Sequence, residues 1–477
     1  MNRLILALTP LTLLAQAQDT SLKGVIRLNK APVSSEVLRV RFPRAVESKL
    51  ANGLTVLVLE SHRTPNVVID LAIPASSLSD PADVPGVADA TADLLRLGTK
   101  KHDSKSLAEA LAENGVTITS NVGFGSRSTH VSLRTLSDNL DTALEFLTEV
   151  LLTPSFPTDE LDKWKQRQLA QLQNARTNPG FIANERMYRL LYDDARAVTA
   201  PTPESVRKLT RDHLVAFYNT HYKPSAALLG VAGDVSGKTI AAKLEKTFSS
   251  WSAGSSQQPK VSFRDPIQQG KIVLIDRPNS VQSQINIANL AINRQNPDYV
   301  ACQVMNRVLG GGPAARLFRN IREDKGYTYG IGSNFTALAY LHHFSMSTSV
   351  RTEVTGPALM EILKEFHDIH DREVPAEELE NAKRAMVASF ALSLESTGAV
   401  LSQLMLLKEY GFPADYWDRY GERVMAVTAA DVQRLARKYV PIANAQAVFV
   451  GYAAKIRETL KKIGPIEEYT QDGARIN

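Results

Sequence analysis

The chain repeats itself, and that limits the architectures open to it. TDELDKWKQRQLA, Thr158 to Ala170, and AEELENAKRAMVA, Ala376 to Ala388, each open on two acids and a leucine. Both place a lysine at the matching position (Lys165, Lys383) and continue with helical apolar periodicity. A second pair begins at Leu209 (LTRDHLVAFYNTHYKPSAALLGVAGDV) and Val427 (VTAADVQRLARKYVPIANAQAVFVGYA). Each reads as a threonine N-cap, a helix, a tyrosine, a proline and an apolar strand ending at glycine. The step from Thr158 to Ala376 equals the step from Leu209 to Val427. One match at that distance is cheap, whereas two at a common offset argue for duplication. The interval is far too long for a solenoid repeat. It predicts two homologous domains, each with its own core, in a chain of 477 residues.

Each unit mixes strand and helix signals. LTVLVLE and VVIDLAI in the first, KIVLIDR and QINIANL in the second, are rich in β-branched residues. VTITSNVGFGSRSTHVSLRT alternates apolar and polar residues around Gly123 and Gly125, as a hairpin does. Helical stretches such as NLDTALEFLTEVLL follow. The fold class is α+β: two tandem domains, each an antiparallel-rich sheet with helices packed on one face. The domains are predicted over 38–250 and 267–465. The stretch 251–266, opening WSAGSSQQP, is rich in Ser, Gly and Gln and reads as an exposed linker.

Residues 1–17 have a short positive start, an apolar run from Leu4 to Ala15 too short to span a bilayer, and the small-x-small pattern Ala15-Gln16-Ala17. They read as a secretory signal peptide. Cys302 is the only cysteine, so the exported chain has no internal disulfide and depends on its core; a bacterial periplasm suits it. The net charge of +5 is spread out, with no Lys/Arg cluster among aromatics. Nucleic acid is therefore not an expected partner.

In the second unit, LGGGPAARLFRNIREDKGYTYGIGSNF runs from Leu309 to Phe335. Gly310 to Gly312 end one helix, Ala314 to Arg322 start the next, Gly326 breaks it, and Tyr327 to Ile331 enter a strand. Arg322 and Tyr329 lie seven apart across that turn. This stretch resembles the C-terminal signature of the pitrilysin, insulin-degrading and mitochondrial-processing peptidase family, inverted-zincin metallopeptidases built from two homologous halves forming half of a clam-shell chamber. The resemblance implies that Arg322 and Tyr329 reach into an active site and hold the substrate.

The same family carries H-x-x-E-H on a helix of its first half, two His binding zinc with Glu as base, and a later Glu as third ligand. Gly86-Val87-Ala88 and Gly98-Thr99 bracket the matching helix here. The ligand positions then fall on Asp89 and Asp93, the base on Ala92, and the third ligand near Ala170 or Gln171. Two carboxylates four apart make a poor tetrahedral zinc site, and alanine cannot take a proton from water. The chain is therefore expected to hold no metal and to have no catalytic residue of its own. Some members of the family divide the work, one chain holding zinc and the other supplying the Arg/Tyr pair. The leading expectation is the non-zinc, substrate-binding subunit of a heterodimeric zinc metalloendopeptidase, with an H-x-x-E-H partner chain carrying zinc and an extended peptide as substrate. A competing expectation is a peptide-binding or scaffold pseudoenzyme. A third, a peptidase with an unusual metal at Asp89 and Asp93 joined by Glu185, lacks a base.

Other groups have plainer readings. His367 and His370 suit the end of a helix with its partial negative charge. His342 and His343 point to opposite faces of a strand and do not chelate. Gly310 to Gly312 read as a helix stop that also lets backbone approach closely.

Overall fold

The computed structural model describes residues 38–192, 201–254, 256 and 265–476. The predicted signal peptide and most of the linker's interior lie outside them. Apolar alternation builds two six-stranded sheets. The first contains β1 (Val46–Lys49), β2 (Thr55–Glu60), β3 (Asn66–Ile73), β4 (Thr117–Val122), β5 (Thr129–Leu136) and β6 (Leu228–Gly233), in the order β1-β2-β6-β3-β5-β4. The second contains β7 (Lys271–Asp276), β8 (Gln282–Leu290), β9 (Thr328–Ala337), β10 (His342–Arg351), β11 (Gln446–Gly451) and β12 (Ile466–Tyr469), in the order β12-β7-β11-β8-β10-β9. The two orders superpose position for position. In both, one central pair is parallel, β2 with β6 and β7 with β11, and its neighbours on the hairpin side are antiparallel. The outer strand differs: β1 runs antiparallel to β2, while β12 arrives from the chain's end and runs parallel to β7. The second half thus extends beyond the expected boundary at 465.

In the first half the helices are α1 (Val87–Leu94), α2 (Ser104–Glu113), α3 (Leu140–Leu152), α4 (Thr158–Ala175), α5 (Pro179–Leu191), α6 (Pro203–Lys208), α7 (Arg211–His221) and α8 (Gly237–Phe248). The second half has α9 (Tyr299–Leu309), α10 (Thr355–Asp371), α11 (Ala376–Ser393), α12 (Thr397–Tyr410), α13 (Tyr420–Met425), α14 (Ala429–Tyr439) and α15 (Ala453–Lys461). The duplication shows in detail. Thr210 and Thr428 cap α7 and α14 with the same reciprocal box. Lys165 donates to the Arg207 carbonyl and Lys383 to the Met425 carbonyl, at 3.5 and 3.0 Å. Donor and acceptor are both displaced by the offset that relates the two sequence repeats, so each lysine closes the end of the short helix packed beside it.

One face of each sheet packs on its own helices, giving two separate cores. One holds Val67, Ile69, Leu71, Leu144 and Trp164; the other holds Ile285, Ile287, Phe344, Ile362 and Phe449. The opposite faces are not bare, which departs from the expectation of helices on one face only. Each is covered by a helix from the other half. Ile182, Ala183, Met187 and Leu191 of α5 pack on Val273, Ala288, Leu290 and Val448 of the second sheet. Val400, Leu401, Leu404 and Met405 of α12 pack on Leu57, Leu59, Ala72 and Leu228 of the first. Pro179 and Thr397, which open these helices, are again related by the common offset. Trp251, read from sequence as linker, is buried in the first core, its indole donating to the Tyr222 carbonyl at 3.1 Å.

Candidate functional site

The helix matching the zinc motif is α1. It is seated by Asp80, a residue sequence reasoning passed over. The buried Asp80 carboxylate accepts from the Gly86 and Ala88 amides, both at 2.7 Å, closing the open N-terminus of α1. Burial still outweighs those two bonds and pushes the carboxyl up to about 7. The signal available was an acid ahead of the Pro85-Gly86 turn. Gly86 takes a φ of 104°, which a side chain resists, and Pro201 presses on the space a Cβ would fill.

Asp89 and Asp93 lie on one face of α1, both partly covered. Burial first, and then the charge of Asp93, raise Asp89 to about 6. Asp93 is engaged by α4, where the Trp164 indole donates to its Oδ2 at 2.8 Å. Ala92 is fully buried and offers no proton acceptor. Gln171, two helical turns beyond Trp164, is exposed. Glu185 is gripped by Arg176 at 2.6 and 2.9 Å and is not available to join the aspartates. The residues at the zinc positions do not fit zinc. One carboxylate is committed to an indole, a base is missing, and the third position is an amide. Among the described residues, no group of three or more His, Cys, Asp or Glu side chains is placed to hold a metal ion.

The four histidines singled out from sequence lie away from this helix. His370 bonds the Val440 carbonyl at 2.9 Å, while His367, one turn earlier, faces solvent. His342 and His343 open β10 and are both buried. The Tyr192 hydroxyl accepts from the His342 amide at 2.9 Å and meets His343 Nδ1 at 2.8 Å. Burial drives both imidazoles down to about 4.

Arg322 and Tyr329 stand on either side of a turn, as read, but their setting was not legible. The helix expected to start over Ala314 to Arg322 and to break at Gly326 ends at Asp324, and its Phe318–Asp324 part is a π-helix. The Lys325 amide reaches back to the Asn320 carbonyl and the Tyr327 amide to that of Ile321, both at 3.0 Å. Such widened turns cluster at functional sites. Here the widening gives an exposed Arg322 whose guanidinium lies 4.7 Å from the Phe318 ring centre. Tyr329, second residue of β9, is 94% exposed, so its phenol is free to meet another molecule.

Gly310, with Asn306 of α9, holds β9 in place. The Gly310 carbonyl accepts from the Ser333 amide at 3.0 Å. Asn306 Nδ2 donates to the Ser333 carbonyl at 3.0 Å, and the Ser333 hydroxyl donates to Asn306 Oδ1 at 2.7 Å. This latch plugs the middle of the β9 edge. The equivalent edge of the first sheet, β4, has no main-chain partner on its outer side among the described residues, and it lies against α1. No single described helix is long and apolar enough to cross a membrane.

The model for insulinase, peptidase family M16, matches residues 55–200, and that for the peptidase M16 inactive domain matches 208–386. Among curated relatives, an uncharacterised zinc protease of Rickettsia bellii is 24% identical, over 84% of this chain and 96% of its own length. A non-peptidase homologue from Helicobacter pylori is 24% identical over 81% and 89%. A probable mitochondrial-processing peptidase subunit beta of Arabidopsis thaliana is 20% identical over 83% and 76%. The solved structure of a peptidase M16 inactive domain from Pseudomonas fluorescens superposes with a TM-score of 0.79 at 26% identity, covering 85% of this chain and 98% of that one.

Proposed function

The chain belongs to the M16, or insulinase, peptidase family, and we propose that it serves there as the zinc-free, substrate-binding subunit of a heterodimeric metalloendopeptidase. One observation carries the reading. The helix at the zinc position has Asp, Ala and Asp where a zinc site needs His, Glu and His, while the Arg322–Tyr329 pair is present and open to solvent. In this reading zinc and base belong to an H-x-x-E-H partner chain. Arg322 grips a peptide carbonyl or carboxylate by charge-assisted hydrogen bonds. The Tyr329 hydroxyl donates to the oxygen on which charge develops, a contribution on the order of 3 kcal/mol for one donor in other hydrolases. The expected signal peptide favours the periplasm as the place of work, with unfolded peptides as substrates.

The test is co-expression with the H-x-x-E-H relative encoded nearest to it, and cleavage of a quenched fluorescent peptide. Cleavage should require both chains, and Tyr329→Phe should lower kcat by about 100-fold with little change in KM. Full activity of the partner alone would refute the assignment.

The free β4 edge favours a second reading, a pseudoenzyme that captures extended peptides by strand addition without cutting them. Peptide binding by the isolated chain, with no cleavage in any mixture, would establish that alternative.

A further inference from the structure

The two seams at which the halves exchange helices are built alike in shape but not in charge. On the second sheet, α5 meets neutral amides: Asn286 donates to Asn184 Oδ1 at 2.7 Å, and Gln284 donates to Asn286 Oδ1 at 2.7 Å. On the first sheet the equivalent of Asn286 on β8 is Asp70 on β3, on the face that carries Val68 and Ala72 toward α12. His130 Nδ1 lies 3.1 Å from Asp70 Oδ2, and the Ser132 hydroxyl donates to Asp70 Oδ1 at 2.9 Å. The C-terminal end of α12 closes over this group. Arg127 donates to the Glu409 carbonyl at 3.0 Å, and Lys408 pairs with Glu47 of β1. A cavity of about 410 Å³ at this end of α12 is lined by Glu47, Arg127, Ser128, Lys408 and Glu409.

We propose that this seam is a pH-sensitive clamp: α12 stays docked on the first sheet while His130 is charged against Asp70, and loosens when that charge is lost. The charged groups acting on His130 are Asp70 from β3 and Glu409 from the end of α12; Arg127 of the hairpin bonds the Glu409 carbonyl, and Arg134 shares the face of β5 that carries His130 and Ser132. Burial alone would lower its proton affinity. The hydrogen bond and charge of Asp70, with the charge of Glu409, outweigh that and hold the imidazole above its ordinary value of 6.5. A raised histidine contributes its full stabilisation below 6.5 and loses it as pH rises through the folded value. Burial raises Glu409 as well, so its ionisation acts in the same direction. Deprotonation of His130 leaves Asp70 and Glu409 as two shielded carboxylates with one fewer cation between them. At the α5 seam nothing comparable happens between pH 6 and 8.5. Burial drives His342 and His343 down to about 4, below that window, and, against its burial, a bond from Tyr469 with the charge of Lys271 holds Glu467 below its ordinary value. The fold therefore contains its own control.

Hydrogen exchange of the full chain, read by mass spectrometry at pH 6.0 and 8.5 and corrected for intrinsic amide rates, tests the clamp. Protection of 397–410 should fall by about threefold or more at the higher pH, while that of 179–191 stays constant. His130→Gln should remove the difference. Asp70→Asn, which keeps the imidazole and removes its partner, should shrink it. Equal behaviour of the two segments in the unaltered chain overturns the proposal. A pH response that survives His130→Gln but disappears in Glu409→Gln overturns the assignment to His130.

Discussion

Gly230 of β6 tests how tightly α12 is seated. A methyl added there would lie 2.7 Å from Leu401 Cδ1, 3.1 Å from its Cγ and 2.8 Å from the Met405 sulfur, all on α12. The backbone is extended strand, so Gly230→Ala is opposed by crowding and not by φ. Crowding of that kind costs about 1–3 kcal/mol, offset by roughly 0.5–1 kcal/mol from removing a strand glycine. Leu401 is 1% exposed, and Leu401→Ala alone should cost about 2–5 kcal/mol through lost burial and the cavity left behind. In the double variant the new methyl enters the space the leucine vacates. Its destabilisation should fall short of the sum of the singles by at least about 1 kcal/mol, and it should be more stable than Leu401→Ala. Equilibrium urea unfolding, followed by far-UV circular dichroism and by the fluorescence of Trp417 in the same cluster, gives all four corners of the cycle. Additivity within about 0.5 kcal/mol would mean that α12 does not rest on β6 as described.

Three other outcomes follow from the geometry. Gly310→Ala should destabilise the chain by several kcal/mol, because its Cβ would sit 2.7 Å from the Ser333 amide nitrogen and break the latch on β9; thermal unfolding reads this. Lys383→Met should cost about 1–3 kcal/mol by stranding the Met425 carbonyl, whereas the counterpart Lys165→Met, half-buried and with a longer bond of 3.5 Å, should stay within about 0.5 kcal/mol. Asp89→Asn should stabilise the chain above pH 7. Folding raises this carboxyl from 3.8 to about 6, so the penalty for its charge is absent below 3.8, grows between the two values and is constant beyond; the gain should reach roughly 1–3 kcal/mol and vanish below pH 4 in urea titrations.

The sequence announced what repeats and what alternates. β2, β3, β7 and β8 lie where β-branched runs stand, the hairpin of β4 and β5 turns at its glycines, and the two copies read from the repeats produced two sheets of one strand order. What stayed hidden depends on distance along the chain. α5 and α12 have apolar faces that look like any core helix, and periodicity cannot say whose core they join. Asp80 caps α1 from a point well ahead of Gly86, beyond the reach of a capping box. The third-ligand failure at Gln171 was visible as a residue type, but the capture of Asp93 by Trp164 was not, because it joins positions far apart in the chain. The widening of the helix at Phe318–Asp324 is recorded by no propensity in RLFRNIRED.

The crossed placement of α5 and α12 also suggests how such a chain could arise. Two identical ancestors, each inserting one arm into the other's open flank, would already have been an interlocked pair before any covalent join. Fusion then had only to preserve that embrace and add the peptide that joins the halves. Severing it should leave one particle, whereas either half expressed by itself should expose an oily flank and clump.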